Sequence, residues 1–341
     1  MAELEYISQY EGTEIDAAVG FGKSPDARPT LGSEGGAESG GIYNAIKESE
    51  YHHNYTINPY FIINQRGGSS YSNVSGLVPN TVDMWAVTAT NMTVTPKEGG
   101  GITVVDSTGA NAQLRQPMNP DELPWGKTIT VSASVTTGAS AATFKIAGWD
   151  SDTNSTSGWW SSTTITVPAN TTQIITNTHT LGTKKNYVGI YIYTMGAATY
   201  DINGVKFEEG SISTLEFDLA NGIRKNKGDE LLKCMEYQIV FKNTSLGYGQ
   251  CEGSNKVALL IPLPVPMRAT PTLILSGDNV KFKDANGTNY NPLTTTQGWG
   301  ETPTTIFGCY VSGTNLTIPT EKCGRVFVGS GSSAILDANL S

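Results

Sequence analysis

Trp149, Trp159 and Trp160 fall in one stretch of the chain, 149–160, and are separated by the polar run Asp-Ser-Asp-Thr-Asn-Ser-Thr-Ser-Gly. Tyr187, Tyr191 and Tyr193 follow in YVGIYIY. Aromatic faces ringed by Asn, Ser and Thr suit sugar rings: the C–H faces stack on π-systems while hydroxyls find polar partners. The alternation of YVGIYIY puts Tyr187, Gly189, Tyr191 and Tyr193 on one face of a strand and Val188, Ile190 and Ile192 on the other. The aliphatic set belongs to a core. The tyrosines then face either a second layer or solvent, so these six aromatics are either glycan-binding candidates or core filling.

Residues for bond-breaking chemistry are sparse. There are 3 histidines: His52 and His53 adjacent, where a strand would point them apart, and His179 alone in TNTHTLG. There is no G-x-S-x-G nucleophile elbow and no H-E-x-x-H metal helix. Asp150 and Asp152 in GWDSDTN could hold a loop calcium, but the segment lacks the glycine and terminal glutamate of an EF-hand loop, and a polar turn is the better reading. Paired carboxylates for glycoside cleavage are not marked by any motif. The chain therefore reads as non-enzymatic, with no metal and no cofactor. Cys234, Cys251, Cys309 and Cys323 include no Cys-x-x-Cys, so they read as buried reduced thiols, with two disulfides as the alternative.

The elements that must carry the aromatics are strands. Charged residues are only 16% of the 341, and the body is written in Thr, Ser, Val, Ile, Tyr, Asn and Gly, which suits strands and tight turns rather than helices. MTVTPKEGGGITVVDS, KTITVSASV, TFKIAGW, TTITVPA and YVGIYIYTM alternate and are divided by short turn signals, which predicts a jelly-roll β-sandwich over 55–215. LEFDLANGIRKNKGDELLKCMEY breaks this pattern and predicts a helix near 228–237. YQIVFKN, KVALLIPLPVPM, TPTLILSG, TTIFGCYVSGTNLTI and RVFVGSG then make a second, smaller β domain within 216–341. The fold class is mostly β.

Residues 1–54 differ. Ile15, Ala18 and Val19 in GTEIDAAVG, and Ile42, Ala45 and Ile46 in SGGIYNAIKE, share an i, i+3, i+4 spacing with Thr13 and Ser39 upstream as N-caps. Each predicts a short helix with one narrow apolar stripe, marginal alone in water. Three copies around a common axis would cover such a stripe, so the segment reads as one for attachment or oligomerisation.

Several stretches resemble bacteriophage tail-fibre and related virion fibre proteins. GTEIDAAVG is similar to their Y-x-G-x-E-[IV]-D-x-A-[IV] opening, and SGGIYNAI to S-G-G-[IV]-Y-x-A-[IL]. NPYFIINQRG resembles N-x-x-F-x-I-N-Q-R-G and reads as the first strand of the sandwich. TVDMW resembles x-x-D-R-W, with Met84 in place of the basic residue. GVKFEEGS is similar to K-L-E-x-G-S, and ELLKCMEYQ to E-L-x-x-C-x-R-Y-Y, with Glu236 and Gln238 departing from it. VPMRATPTL and ILDANLS resemble M-R-[AT]-x-P-T and x-x-D-A-E-L. Each match is short; together they run in family order along most of the chain.

The resemblance implies a carbohydrate-binding-module-like jelly roll followed by a fibre-tip β domain in a homotrimer, with the leader bound to other virion proteins. It supplies no catalytic residue. The protein is then expected to be a virion component that binds host surface glycan. A purely structural head fibre, collar or capsid decoration is the first alternative, and a glycan depolymerase the second. The net charge of -9, with no basic patch, speaks against nucleic acid. No apolar run nears ~20 residues, which speaks against a membrane span. The acidic start, MAELEYISQYEGTE, has no signal-peptide pattern. Assembly in a host cytoplasm and release by lysis fit these features.

Overall fold

The structure is a computed structural model that describes residues 53–338 except 77–79, 110–111, 154–157, 223–225, 299–304 and 314–316. The chain divides into two compact units, Met1–His53 and Asn54–Ser341. The leader candidates Ile15, Ala18, Val19, Ile42, Ala45 and Ile46 lie outside the described residues.

The second unit is mostly β and carries two large hydrophobic cores. The first belongs to a jelly-roll β-sandwich. Its strands are β1 (Ala86–Val87), β2 (Met92–Pro96), β3 (Ile102–Asp106), β4 (Gln113–Met118), β5 (Thr128–Thr137), β6 (Ala142–Ser151), β7 (Trp159–Ser161), β8 (Ile165–Val167), β9 (Thr172–Thr180), β10 (Tyr187–Thr194) and β11 (Ala198–Glu209). One sheet has the order β1-β4-β10-β6-β7, with β8 also on β6; the other has the order β2-β3-β11-β5-β9. All these pairings are antiparallel.

The alternation seen in the sequence decides which side chains meet. On β5, Ile129, Val131, Ala133 and Val135 enter the core. Its threonines face outward and meet those of β9: Thr128 to Thr180 at 3.2 Å, Thr130 to Thr178 at 3.3 Å and Thr136 to Thr172 at 2.8 Å. Such cross-strand hydroxyl pairs each add a few tenths to about 1 kcal/mol.

Two helices follow, α1 (Leu215–Ala220) and α2 (Lys227–Met235). Asn226 caps α2 by accepting from the Gly228 amide. The second lobe contains β12 (Gln238–Phe241), β13 (Thr244–Gly253), β14 (Lys256–Pro262), β15 (Thr272–Ser276), β16 (Val280–Asp284), β17 (Asn289–Tyr290), β18 (Thr295–Gly298), β19 (Ile306–Ser312), β20 (Cys323–Val328) and β21 (Ser333–Asp337). These form one small sheet, β12-β21-β15, and a larger one, β17-β16-β20-β13-β14-β19-β18.

NPYFIINQRG is not a strand. Asn58 and Phe61 both have positive φ, 53° and 56°, which a strand does not tolerate. Side chains replace the ladder instead. The Asn58 amide nitrogen donates to the carbonyls of Ile63 and Asp83, its amide oxygen accepts from the Ile63 N–H, and its backbone N–H donates to Glu230 of α2 at 2.6 Å. Phe61 packs on Trp85, whose indole N–H donates to the Asn58 carbonyl.

Gln65 joins the lobes. Its backbone and side-chain N–H groups donate to the Asp83 carboxylate, its amide also donates to the Gln238 carbonyl, and its oxygen accepts from the Val240 N–H. This stretch therefore ties the sandwich to the second lobe instead of opening the sandwich as its first strand. TVDMW and ELLKCMEYQ complete the joint: Ile57, Ile63, Met84, Cys234 and Tyr237 form a small core of their own. Arg268 of VPMRATPTL lies over the Tyr237 ring and donates to the carbonyl of Ala338 in ILDANLS. Five of these stretches thus build one joint.

Among the described residues no helix is long and apolar enough to cross a membrane. Cys234, Cys251 and Cys309 are buried free thiols; Cys323 is also free but exposed, at the open face of the larger sheet. That corrects the expectation of four buried thiols.

Candidate functional site

The outer face of the first sandwich sheet carries the aromatic cluster. β10 turns Val188, Ile190 and Ile192 into the core, so Tyr187, Gly189, Tyr191 and Tyr193 look outward. β6 pairs with β10 so that Trp149 sits opposite Gly189 and Ala147 opposite Tyr191. The small residues leave room for the rings to lie down. A Cβ on Gly189 would come 1.8 Å from the Trp149 ring. Trp149 and Tyr191 pack at 4.5 Å between centroids, with 47° between their planes, and both are buried.

Trp159 comes from the short strand β7, opposite Trp149. It stacks on Tyr191 at 4.6 Å and 15°, yet remains 50% exposed. Tyr187 and Tyr193 pack at the margin and are partly buried. Lys185 and Asp152 close one side of the sheet edge with an ion pair at 2.7 Å.

Trp160 does not join this cluster, which corrects its place among the candidates. Adjacent strand residues point to opposite faces, so Trp160 turns toward Gly148 and the sandwich interior. There it stacks on His179 of β9 at 4.6 Å and 8°. A Cβ on Gly148 would come 2.0 Å from its ring. Asp150 acts electrostatically on the same His179. Burial raises the Asp150 carboxyl and lowers the His179 imidazole, and each group partly offsets the shift of the other. Among the described residues no group of three His, Cys, Asp or Glu is placed to hold a metal ion.

No motif marks Arg115, yet it lies under the cluster. It stands opposite Tyr191 on β4, fully buried, with its guanidinium 4.4 Å from the Trp149 ring centroid and 5.4 Å from that of Tyr191. None of its three nitrogens has a hydrogen-bond partner, and neither does the indole nitrogen of Trp149. Burial lowers the Arg115 pKa, with Tyr191 opposing, and raises that of the Tyr191 phenol. The two π faces recover part of the cost of burying a cation, but unused donors in an apolar setting are expensive. The arrangement offers a flat apolar face with N–H donors beneath it. The only sequence signal was the outward position of a lone arginine in QLRQPM.

No family model matches the chain, and no curated protein does. Among solved structures, the CBM22-1–GH10 modules of a Clostridium thermocellum endo-1,4-beta-D-xylanase, complexed with xylohexaose, are 16% identical with a TM-score of 0.36, over 48% of this chain and 29% of that one. The C-terminal family 22 carbohydrate binding module of a xylanase from the same organism is 17% identical with a TM-score of 0.34, over 47% and 96%. The enzymatically active domain of bacteriophage CBA120 tailspike protein 4 is 13% identical with a TM-score of 0.30, over 46% and 21%.

Proposed function

We propose that this protein is a non-enzymatic virion fibre component that binds host cell-surface glycan on the outer aromatic face of its sandwich. One observation carries the glycan reading: the half-exposed Trp159 lies flat on Tyr191 above the unsatisfied donors of Arg115 and Trp149. A sugar ring can add to that stack through its C–H face while its hydroxyls or acid groups accept from the donors. The virion reading rests on the ordered series of fibre-like motifs, and with it come the homotrimer, attachment through residues 1–54, assembly in the host cytoplasm and release by lysis.

The test is binding of purified protein to whole cells and to an array of bacterial glycans, with Trp159→Ala alongside. Binding that the variant loses supports the reading. Equal binding by the variant, or none by either protein, overturns it. A purely structural head-fibre, collar or decoration role is the second reading. It is favoured by the way the recurring motifs converge on the joint between the lobes, around Asn58, Asp83 and Tyr237, and not on the aromatic face. Release of reducing sugar ends from host envelope would instead establish a depolymerase.

A further inference from the structure

The larger sheet of the second lobe has an open face, and a row of side chains crosses it in register. Lys283 of β16 stands opposite Arg325 of β20, Arg325 opposite Tyr248 of β13, and Tyr248 opposite Leu260 of β14. Directly opposed residues share a face, so Lys283, Arg325, Tyr248 and Leu260 line one strip. The inward set of the same strands, Phe282, Val326 and Leu259, is buried in the lobe core. The strip lies in a cleft of about 900 Å³, within the usual size of ligand sites.

Two features of this cleft have no account in folding. First, Lys283 and Arg325 are like charges in direct cross-strand opposition, an arrangement that destabilises a sheet. Among the described residues neither has a carboxylate partner. The neighbouring Asp284 is held by the amides of Asn286 and Thr288 and by Lys322 at 3.6 Å, and Glu252 is hydrogen-bonded to Tyr310. Arg325 lies over the Phe327 ring at 5.8 Å, but two adjacent cations without a carboxylate stand out in a chain of net charge -9.

Second, Tyr248 is 76% exposed, more than any other large apolar or aromatic side chain described. It is held up by a bent strand. The register of β13 shifts between Ser245 and Gly247 against β20, and again between Cys251 and Gly253 against β14. Bulges of this kind bend a strand and re-aim a side chain. Gly247 and Gly249 flank the tyrosine because a Cβ on either would strike a neighbouring carbonyl oxygen, at 1.9 Å and 2.4 Å.

We infer that this cleft is a second, independent binding site, for a saccharide chain bearing acid groups. Tyr248 stacks on a sugar ring, and Arg325 with Lys283 pairs with a carboxylate or phosphate on the same or the next residue. Gln250 and Asn286, also in the lining, reach hydroxyls. The site shares no residue with the sandwich face, and it can exist whether or not that face binds sugar.

The full chain would be titrated calorimetrically with hexagalacturonate, its methyl ester, poly(N-acetylmannosamine phosphate) and poly-L-glutamate. One or both acid-bearing sugar chains should bind. The ester and the polypeptide should bind at least about tenfold more weakly, because they lack the charge or the ring. Arg325→Gln and Tyr248→Ala are exposed substitutions compatible with folding, and each should lower affinity by about tenfold or more. Amide hydrogen exchange should show protection on β13 and β20. Failure of both acidic chains to bind overturns the inference. So does equal binding of the ester or of poly-L-glutamate, undiminished binding by both variants, or protection confined to β6 and β10. The last result would assign the acid to the sandwich face and leave the glycan reading of that face standing.

Discussion

Trp159 and Tyr191 lie nearly parallel with their rings 4.6 Å apart, and Trp159 keeps half its surface in solvent. A stacked pair with one free face is an extendable stack. Trp159→Ala should therefore reduce binding to host cells or glycan by about tenfold or more. It should change thermal stability little, because the lost ring was half exposed. Tyr191→Ala removes a buried ring from the same stack and should instead destabilise by about 3–5 kcal/mol. Parallel melting curves and cell-binding titrations separate the two effects.

Arg115 is predicted to trade stability for function. Arg115→Met keeps the length of the side chain and removes three buried nitrogens without partners. Replacing an uncompensated buried ion by a packed apolar side chain should stabilise by about 1–3 kcal/mol. The variant should melt a few degrees higher and bind glycan more weakly. A variant that melts lower would mean that the guanidinium's contacts with Trp149 and Tyr191 outweigh its desolvation.

Gly189 is where the backbone yields to Trp149. Gly189→Ala puts a methyl group into the indole ring, and overpacking of this kind costs about 1–3 kcal/mol. The loss should appear in urea unfolding as a lower midpoint. Gly182, with open space around its Cβ position, is the control and should tolerate alanine.

Asp83 gives the joint between the lobes a pH dependence. Burial raises its carboxyl above the ordinary 3.8, against hydrogen bonds from Gln65 and the charge of Arg66. A carboxyl with a raised folded pKa holds its proton longer in the native state than in the unfolded one. Stability from this group therefore falls as pH rises from about 3.8 through the folded value. Gln65→Ala removes the side-chain hydrogen bond to the ionised form, leaving the backbone one, and should steepen that fall. Urea midpoints between pH 3.5 and 7 (about the window in which a shifted carboxyl titrates) would check both statements.

The cysteines should separate by accessibility. Cys323 is exposed, while Cys234, Cys251 and Cys309 are buried, and burial pushes the Cys309 thiol up to about 12. Native protein treated with a thiol reagent at mild pH should label at Cys323 alone, and unfolded protein at all four. Mass spectrometry of the labelled peptides reads this directly.

Strand periodicity was legible wherever local pattern suffices. YVGIYIY and TITVSASV show which residues face the core because side chains alternate along any extended strand, whatever its neighbours. The same rule separates Trp159 from Trp160, because consecutive residues of a strand face opposite ways. NPYFIINQRG departs from its strand-like pattern for a tertiary reason. Its apolar run looks like a strand, but Asn58 and Phe61 take positive φ, and the buried backbone groups are satisfied by side chains from elsewhere in the chain.

By itself, then, the amino-acid sequence determined that this is a mostly β chain with a sandwich, a helical break and a second β region, and that aromatic residues concentrate near 149–193. Those are properties of composition and short-range period. Only the tertiary structure decided that Arg115 lies beneath Trp149 and Tyr191, that Lys283 faces Arg325 beside Tyr248, and that the recurring motifs meet at one joint. Each of these depends on which strands pair and in what register. Register is set by long-range packing of whole sheets, which no local stretch of sequence records.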